Sequence, residues 1–296
     1  MNFGKILYRA CEPNFVLAVV STSLKRSVSL VHSESDQRSM STPEESVRSY
    51  YRCLAEAWGP QHWWPARTRF EVIVGAYLTQ NTAWINVERA LTGLRSARLL
   101  SLEGIRRAPV KTVERLIRPS GYFRQKAQRL KTFVAFVDGR YGGSLARMFS
   151  QPTSKLREEL LGLNGIGQET ADSILLYAGN YPVFVVDAYT RRILERHEIT
   201  TPRAEYEDIR RLFESALAPI VTSQQHKPAE TRDRLAAGLP GAAHPPSRMS
   251  VARRSAVVQV YNEMHGLIVG VGKNYCRKSQ PLCDRCPLQP FLPCRK

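Results

Sequence analysis

An all-α fold is predicted by three observations. From Ser41 onward, apolar residues recur at helical spacing in segment after segment. No stretch alternates apolar and polar residues with the period of two that a half-buried strand requires. The breaks between periodic segments are turn-length and carry Gly, Pro and Ser.

The elements follow in order. Residues 1–40 are rich in Ser and lack sustained periodicity, so they are expected to form an extension outside the fold, with Met40 an alternative start. Ser41-Thr42-Pro43-Glu44-Glu45 is a helix-start signal: a capping hydroxyl, an early proline and acidic residues in the first turn. The helix it opens runs through Tyr50, Leu54 and Trp58. Phe70 to Leu78 is almost wholly apolar and is expected to be a buried helix. Shorter helices are expected over Val87–Leu94, Leu99–Ile105, Val113–Ile117, Gln125–Val137 and Leu145–Phe149, then over Leu156–Leu163 and Thr170–Tyr177. Residues 222–250 are dominated by Pro, Gly, Ala and Ser and read as a flexible insertion. Helical spacing resumes at Val251 and runs through Met264 to Val271.

Composition narrows the partner. The chain of 296 residues carries 43 Lys+Arg against 26 Asp+Glu, a net +17 spread along its length. That balance favours a polyanion, and nucleic acid ahead of a membrane surface. No apolar run approaches the ~20 residues that span a bilayer, and Glu12 and Pro13 interrupt the only apolar patch near the N-terminus, so no signal peptide is read. A cytoplasmic, nucleoid-associated monomer is expected. Four of the six cysteines, Cys276, Cys283, Cys286 and Cys294, close the chain in a C-x6-C-x2-C-x7-C pattern. Disulfides are one use of such a pattern. A short C-x-x-C pair in a basic chain argues for metal, and four thiolates suit zinc or an iron–sulfur cluster alike. Cys53 reads as a packed helix residue and Cys11 as a stray thiol.

The most informative stretch is L-N-G-I-G-Q-E-T-A, Leu163 to Ala171, followed by the β-branched run Val183–Val186 and then Asp187. Gly165 and Gly167 permit positive φ or close approach of backbone to a ligand, and the helix that follows presents free N–H groups suited to a phosphate oxygen. A G-x-G alone is a common turn, and an aspartate ahead of a helix is commonly its N-cap. Taken together, at this spacing, they resemble the helix-hairpin-helix and aspartate of the endonuclease III superfamily of base-excision DNA glycosylases. Two further stretches, Trp63 to Trp84 and Arg118 to Leu130, resemble the branch containing 3-methyladenine DNA glycosylase III. Lyase members of the superfamily carry a lysine two residues after the second glycine. This chain has Glu169 there, as does that branch.

The resemblance implies a two-lobed helix-hairpin-helix glycosylase: a helical barrel over residues 61–181, a second lobe of 41–60 with 182–296, and a cleft between them holding Asp187. Asp187 would stabilise the positive charge that grows on the sugar and orient or deprotonate water. Trp63, Trp64 and Trp84 would form the base pocket, with ordinary core packing the alternative use of three tryptophans. Gln80 would enter the gap left in the duplex, or be a solvated helix end. The basic series Arg118, Arg124, Lys126, Arg129 and Lys131 would contact phosphates, though a solvated surface looks the same in sequence; of these, Arg124 and Lys126 are taken as DNA contacts with Gly165 and Gly167. The four cysteines would hold a [4Fe–4S] cluster, their last gap two residues longer than in the relatives. Without lysine at 169 the expected reaction is hydrolysis of the bond to a damaged, N-alkylated base in double-stranded DNA, leaving an abasic site for a separate endonuclease. A bifunctional glycosylase/lyase and a silent damage-binding protein are the alternatives.

Overall fold

A computed structural model describes residues 42–224 and 244–293; the expected N-terminal extension, Cys11, Met40 and Cys294 lie outside them. Every regular element among the described residues is helical. None of these helices is long and apolar enough to cross a membrane.

The first helix, α1 (Pro43–Trp58), begins as its sequence dictates: Thr42 Oγ1 accepts from the Glu45 amide at 3.2 Å, and the Glu45 carboxylate accepts from the Thr42 amide at 2.9 Å. It packs against α11 (Tyr206–Gln224) and α12 (Ala256–Asn274), and α12 in turn against α10 (Ala188–Arg196). A second group gathers around α2 (Arg69–Thr79), which is buried from Phe70 to Leu78. Packed with it are α3 (Trp84–Ser96), α6 (Phe123–Tyr141) and α9 (Gln168–Ser173), which widens into a π-helical turn over Ile174–Gly179. Four short helices complete this group: α4 (Leu102–Arg107), α5 (Val110–Leu116), α7 (Leu145–Met148) and α8 (Thr153–Leu161). One continuous apolar core joins both groups. The β-branched run 183–186 crosses between them as buried extended chain, with Phe184 stacked on Phe213 at 4.2 Å.

Two expectations are corrected. Residues 244–250, read as part of a flexible insertion, are packed against the strap that precedes α2. The His244 amide donates to the Gln61 carbonyl at 3.2 Å, the Met249 amide to the Ala66 carbonyl at 3.0 Å, and Ser247 bonds to both Trp64 and Ala66. Backbone and hydroxyl bonds hold this segment, so its lack of large apolar residues gave no sign of order. Of the remainder of the expected insertion, 222–224 continue α11 to its end and are helical, and 225–243 lie outside the described residues.

The second correction concerns the basic series. Lys126 is 1% exposed and its ammonium donates to the Leu78 carbonyl (2.8 Å), the Ser120 carbonyl (2.7 Å) and Thr82 Oγ1 (2.8 Å). It closes the C-terminal end of α2, whose last carbonyls have no helical partner of their own. Burial, with Arg129 nearby, lowers its pKa to about 8. Lys131 does the same for α4, donating to the carbonyls of Ile105, Arg106 and Ala108. Both ammonium groups are turned to oxygens of the protein itself, which is not the outward direction expected of them. Arg124 stands exposed on α6.

Replacing Lys126 with Met keeps the stem but strips buried carbonyls of their donor. We expect a loss of ~2–3 kcal/mol in urea unfolding. Binding of undamaged duplex should keep its dependence on log salt, whereas losing a true phosphate contact would reduce the slope by about 0.9.

Candidate active site

A cavity of about 640 Å³ opens where the two helix groups meet, and Asp187 stands inside it. Three tryptophans form one wall. Trp63 and Trp64 come from the extended strap before α2, and Trp84 begins α3. The Trp64 and Trp84 rings meet edge to face at 5.2 Å, and Trp63 lies 5.8 Å from Trp64 and 6.5 Å from Trp84. Gly266 of α12 lets this wall sit close, since a Cβ there would lie 3.1 Å from Trp63 Cβ. Trp63 and Trp64 are buried while Trp84 is half-buried, its indole N–H donating to Glu88 at 2.8 Å.

Asp187 satisfies both of its sequence readings at once. It is the N-cap of α10: Oδ1 accepts from the Thr190 amide at 2.7 Å and from the Thr190 hydroxyl at 2.8 Å. It is also a cavity residue, 9% exposed, with Oδ2 3.6 Å from His265 Nε2. Burial alone would raise the carboxyl; His265 and the two Thr190 donors outweigh it and hold the group below the usual carboxylate range. The cavity therefore contains a fixed negative charge. Glu169 lines the same space. Although open to the cavity, it is pushed up to about 7, first by its crowded surroundings and then by the charge of Asp187.

The hairpin between α8 and α9 forms the cavity's edge. Gly165 has φ +81°, the left-handed region that glycine tolerates, and the Arg129 guanidinium lies where its Cβ would be. Gly167 is extended, with open space around it, so a free line of approach is what glycine contributes there. Gln80 braces the turn: its amide nitrogen donates to the Gly165 carbonyl and to Thr170 Oγ1, both at 2.9 Å, and its oxygen accepts from Arg129 at 3.0 Å. It lines the cavity, with its amide committed to protein partners. Arg124 and Arg129 line one surface cleft with Asn164 of the hairpin.

Four residues of this site escaped the sequence reading. His265 reaches the cavity from α12, Tyr189 from α10, Lys273 from the end of α12, and His244 from the segment after the expected insertion. The His244 ring lies 5.4 Å from Trp63, extending the aromatic wall. Burial, together with the Lys273 charge, lowers its pKa against a weaker opposing pull from Glu88. Tyr189 fits because Gly272 leaves room: a Cβ there would overlap its ring. A glycine in an apolar helix was the one available hint.

Three of the C-terminal cysteines gather at the far end of α10. Cys276, Cys283 and Cys286 line one small cavity beneath α10, and Arg196 donates to Cys276 Sγ at 3.2 Å. Burial, with the other two sulfurs adding to it, pushes the Cys286 thiol up to about 11. Among the described residues no group of three side chains closes on a single metal ion. Thiols gathered on one cavity beside a guanidinium are the kind of donor set that zinc or an iron–sulfur cluster takes, and the cavity itself does not choose between them.

Residues 74–219 match the model of the HhH-GPD superfamily base excision DNA repair proteins. The chain is 39% identical over 249 residues to the "Putative DNA repair glycosylase" of Methanocaldococcus jannaschii, covering 83% of this chain and 96% of that relative. It is 26% identical over 220 residues to endonuclease III of Thermotoga maritima, covering 74% and 80%. The H. pylori 3-methyladenine DNA glycosylase, bound to 1,N6-ethenoadenine, aligns with TM-score 0.62 and 27% identity over 78% of this chain and 97% of that one. A trapped endonuclease III–DNA covalent intermediate shares the fold, with TM-score 0.59 at 19% identity over 84% and 95%.

The raised Glu169 carboxyl has a consequence for stability. A carboxyl that ionises at 4.5 unfolded and about 7 folded contributes its full stability below 4.5 and loses it as pH rises through 7. Glu169→Gln should thus melt with wild type at or below pH 4.5, increasingly above it as pH rises from 4.5 to about 7, and by a constant margin beyond. A constant difference across the range would mean the carboxyl is not raised.

Proposed function

The chain belongs to the HhH-GPD superfamily of base excision DNA repair proteins, a DNA repair glycosylase, and we propose that it is monofunctional, hydrolysing the bond to an N-alkylated purine such as 3-methyladenine and leaving an abasic site. The observation that carries this reading is one cavity in which a charged, buried aspartate faces an aromatic wall while the lyase lysine position holds a carboxyl.

A base turned out of the duplex would stack on Trp63, Trp64 and Trp84. An N-alkylated purine carries positive charge, which aromatic faces attract by roughly 0.5–2 kcal/mol. That charge also weakens the glycosidic bond, so departure needs no strong acid. As the bond lengthens, positive charge moves to the sugar, and Asp187 stabilises it without reorganisation because Thr190 already fixes the carboxylate. The likeness to a 3-methyladenine glycosylase supports this substrate class.

Double-stranded DNA would lie across the hairpin, with phosphate oxygens at the Gly165–Gly167 edge and at Arg124, and Gln80 facing the opened gap. The abasic product passes to a separate endonuclease. The four C-terminal cysteines, Cys294 included, would hold a [4Fe–4S] cluster. What such a group supplies is a cross-link fixing the C-terminal segment against α10 and α12.

A second reading has one observation in its favour. Lys273 lines the cavity and provides an amine, so a glycosylase/lyase using it is the rival.

The decisive experiment is base release from a panel of lesion-bearing duplexes with borohydride trapping alongside. We expect release of alkylated purine without strand scission or adduct; a trapped adduct that disappears in Lys273→Ala would establish the rival. Asp187→Asn keeps the cap but loses the charge, and should slow excision by at least ~10²–10³-fold with little change in affinity for damaged DNA. Purified protein should be yellow-brown with about four irons per chain. Cys283→Ala should bleach and destabilise it, while a colourless protein holding one zinc would refute the cluster.

A further inference from the structure

Hydrolysis needs a placed water, and Asp187 alone offers it one contact. Its Oδ1 is occupied by the amide and hydroxyl of Thr190. Oδ2 is left facing His265, whose imidazole is 4% exposed and fixed at its other end: Nδ1 lies 2.5 Å from the Tyr177 hydroxyl. Nε2 has no hydrogen-bond partner among the described residues and stands 3.6 Å from Oδ2, beyond direct reach. Both residues line the cavity. A buried nitrogen without a partner, aimed beside a carboxylate oxygen it does not touch, marks a place for a third polar atom.

We propose that His265 and Asp187 together hold the attacking water, His265 Nε2 donating to its oxygen and Asp187 Oδ2 accepting one of its protons. This inference rests on the hydrolytic reading above and assigns the nucleophile's binding site within it. A water about 2.8–3.0 Å from each atom completes a triangle on their 3.6 Å base. Tyr177 sets the tautomer. Burial, reinforced by the Asp187 charge, raises its hydroxyl far above the phenolic range, so it stays protonated and donates to Nδ1. The imidazole proton then resides on Nε2, pointing at the water.

The step balances. The bond from sugar C1′ to the base nitrogen breaks and its electron pair leaves with the base, discharging the cation of an N-alkylated purine. The water oxygen bonds to C1′, and its proton passes to Asp187 Oδ2 and on to solvent. His265 gains and loses nothing; it holds the oxygen with a lone pair toward C1′. His265 is on this account a catalytic residue, and Tyr177 a positioning residue acting through it.

The test is single-turnover release of 3-methyladenine from methylated duplex by the full-length protein. His265→Phe should lose ~10²-fold in rate while affinity for the damaged duplex stays within about threefold. His265→Asn, which restores an N–H donor, should recover all but roughly tenfold. In mixed water–methanol the wild type should yield the hydrolysed sugar, and His265→Phe a measurable fraction of methyl glycoside, because a loosely held nucleophile exchanges for methanol. A structural role would not move that partition. Imidazole 15N NMR of the free protein should show His265 protonated on Nε2. If His265→Phe fails to fold, Tyr177→Phe provides the same comparison: the expected result is a slower rate with increased methanol capture, and wild-type behaviour overturns the assignment. An unaltered rate in His265→Phe, or equal losses in Phe and Asn variants with unchanged partition, overturns it directly. A borohydride-trapped adduct, or no base release, in the unmutated protein instead refutes the hydrolytic reading, and this assignment falls with it.

Discussion

Keeping one carboxylate ionised inside the protein is the constraint on which the site depends. A charge at that depth is costly unless donors replace the lost water. Asp187 finds them at the start of α10, where helix amides lack internal partners and the helix dipole favours a negative group. The same bonds that begin the helix therefore keep the acid charged. They also fix its direction, because Oδ1 is held by Thr190 and only Oδ2 is left for the cavity. On the proposed reading, capping and catalysis are one arrangement, and a structural cap is what makes the carboxylate fit for chemistry.

The second constraint is the hairpin, which must present bare backbone without losing its shape. Gly165 is kept in its left-handed conformation by Gln80 and Arg129 beneath it. Behind the hairpin, Arg157 forms a two-pronged pair with Asp172 at 2.7 and 3.0 Å and reaches Glu207 at 2.6 Å, tying α8, α9 and α11 together. Cations in this chain thus do much of their work facing inward. Lys126, Lys131, Arg129 and Arg157 all donate to backbone, amide or carboxylate oxygens of the protein itself, so the net +17 overstates the charge offered to a polyanion.

How far the sequence could be read depended on how local each signal was. The capping box at Thr42, the buried helix from Phe70 and the Gly-Ile-Gly turn are short-range patterns, and each appears where its residues place it. Asp187 was legible because its cap and its spacing from the hairpin lie along one stretch of chain. His265 was not: it lies 78 residues beyond Asp187, on an apolar helix where a histidine looks like core filler. Lys126 misled for the opposite reason. It lies among arginines around a Ser-Gly turn, and nothing local distinguishes an ammonium turned inward to Leu78 from one in solvent. His244 was hidden because hydrogen bonds to backbone leave no periodicity to detect.

The attachment of residues 244–250 also bears on how such a protein changes over time. Their anchor is the strap of residues 61–66, held by main-chain and serine bonds, whereas Asp187 and His265 stand on α10 and α12. One face of the pocket is thus borne by a segment that contributes neither Asp187 nor His265. On the proposed reading, selection can exchange side chains there, His244 first among them, and retune which bases are admitted while the bond-breaking apparatus goes untouched. A repair enzyme built this way can drift toward a new lesion in small viable steps.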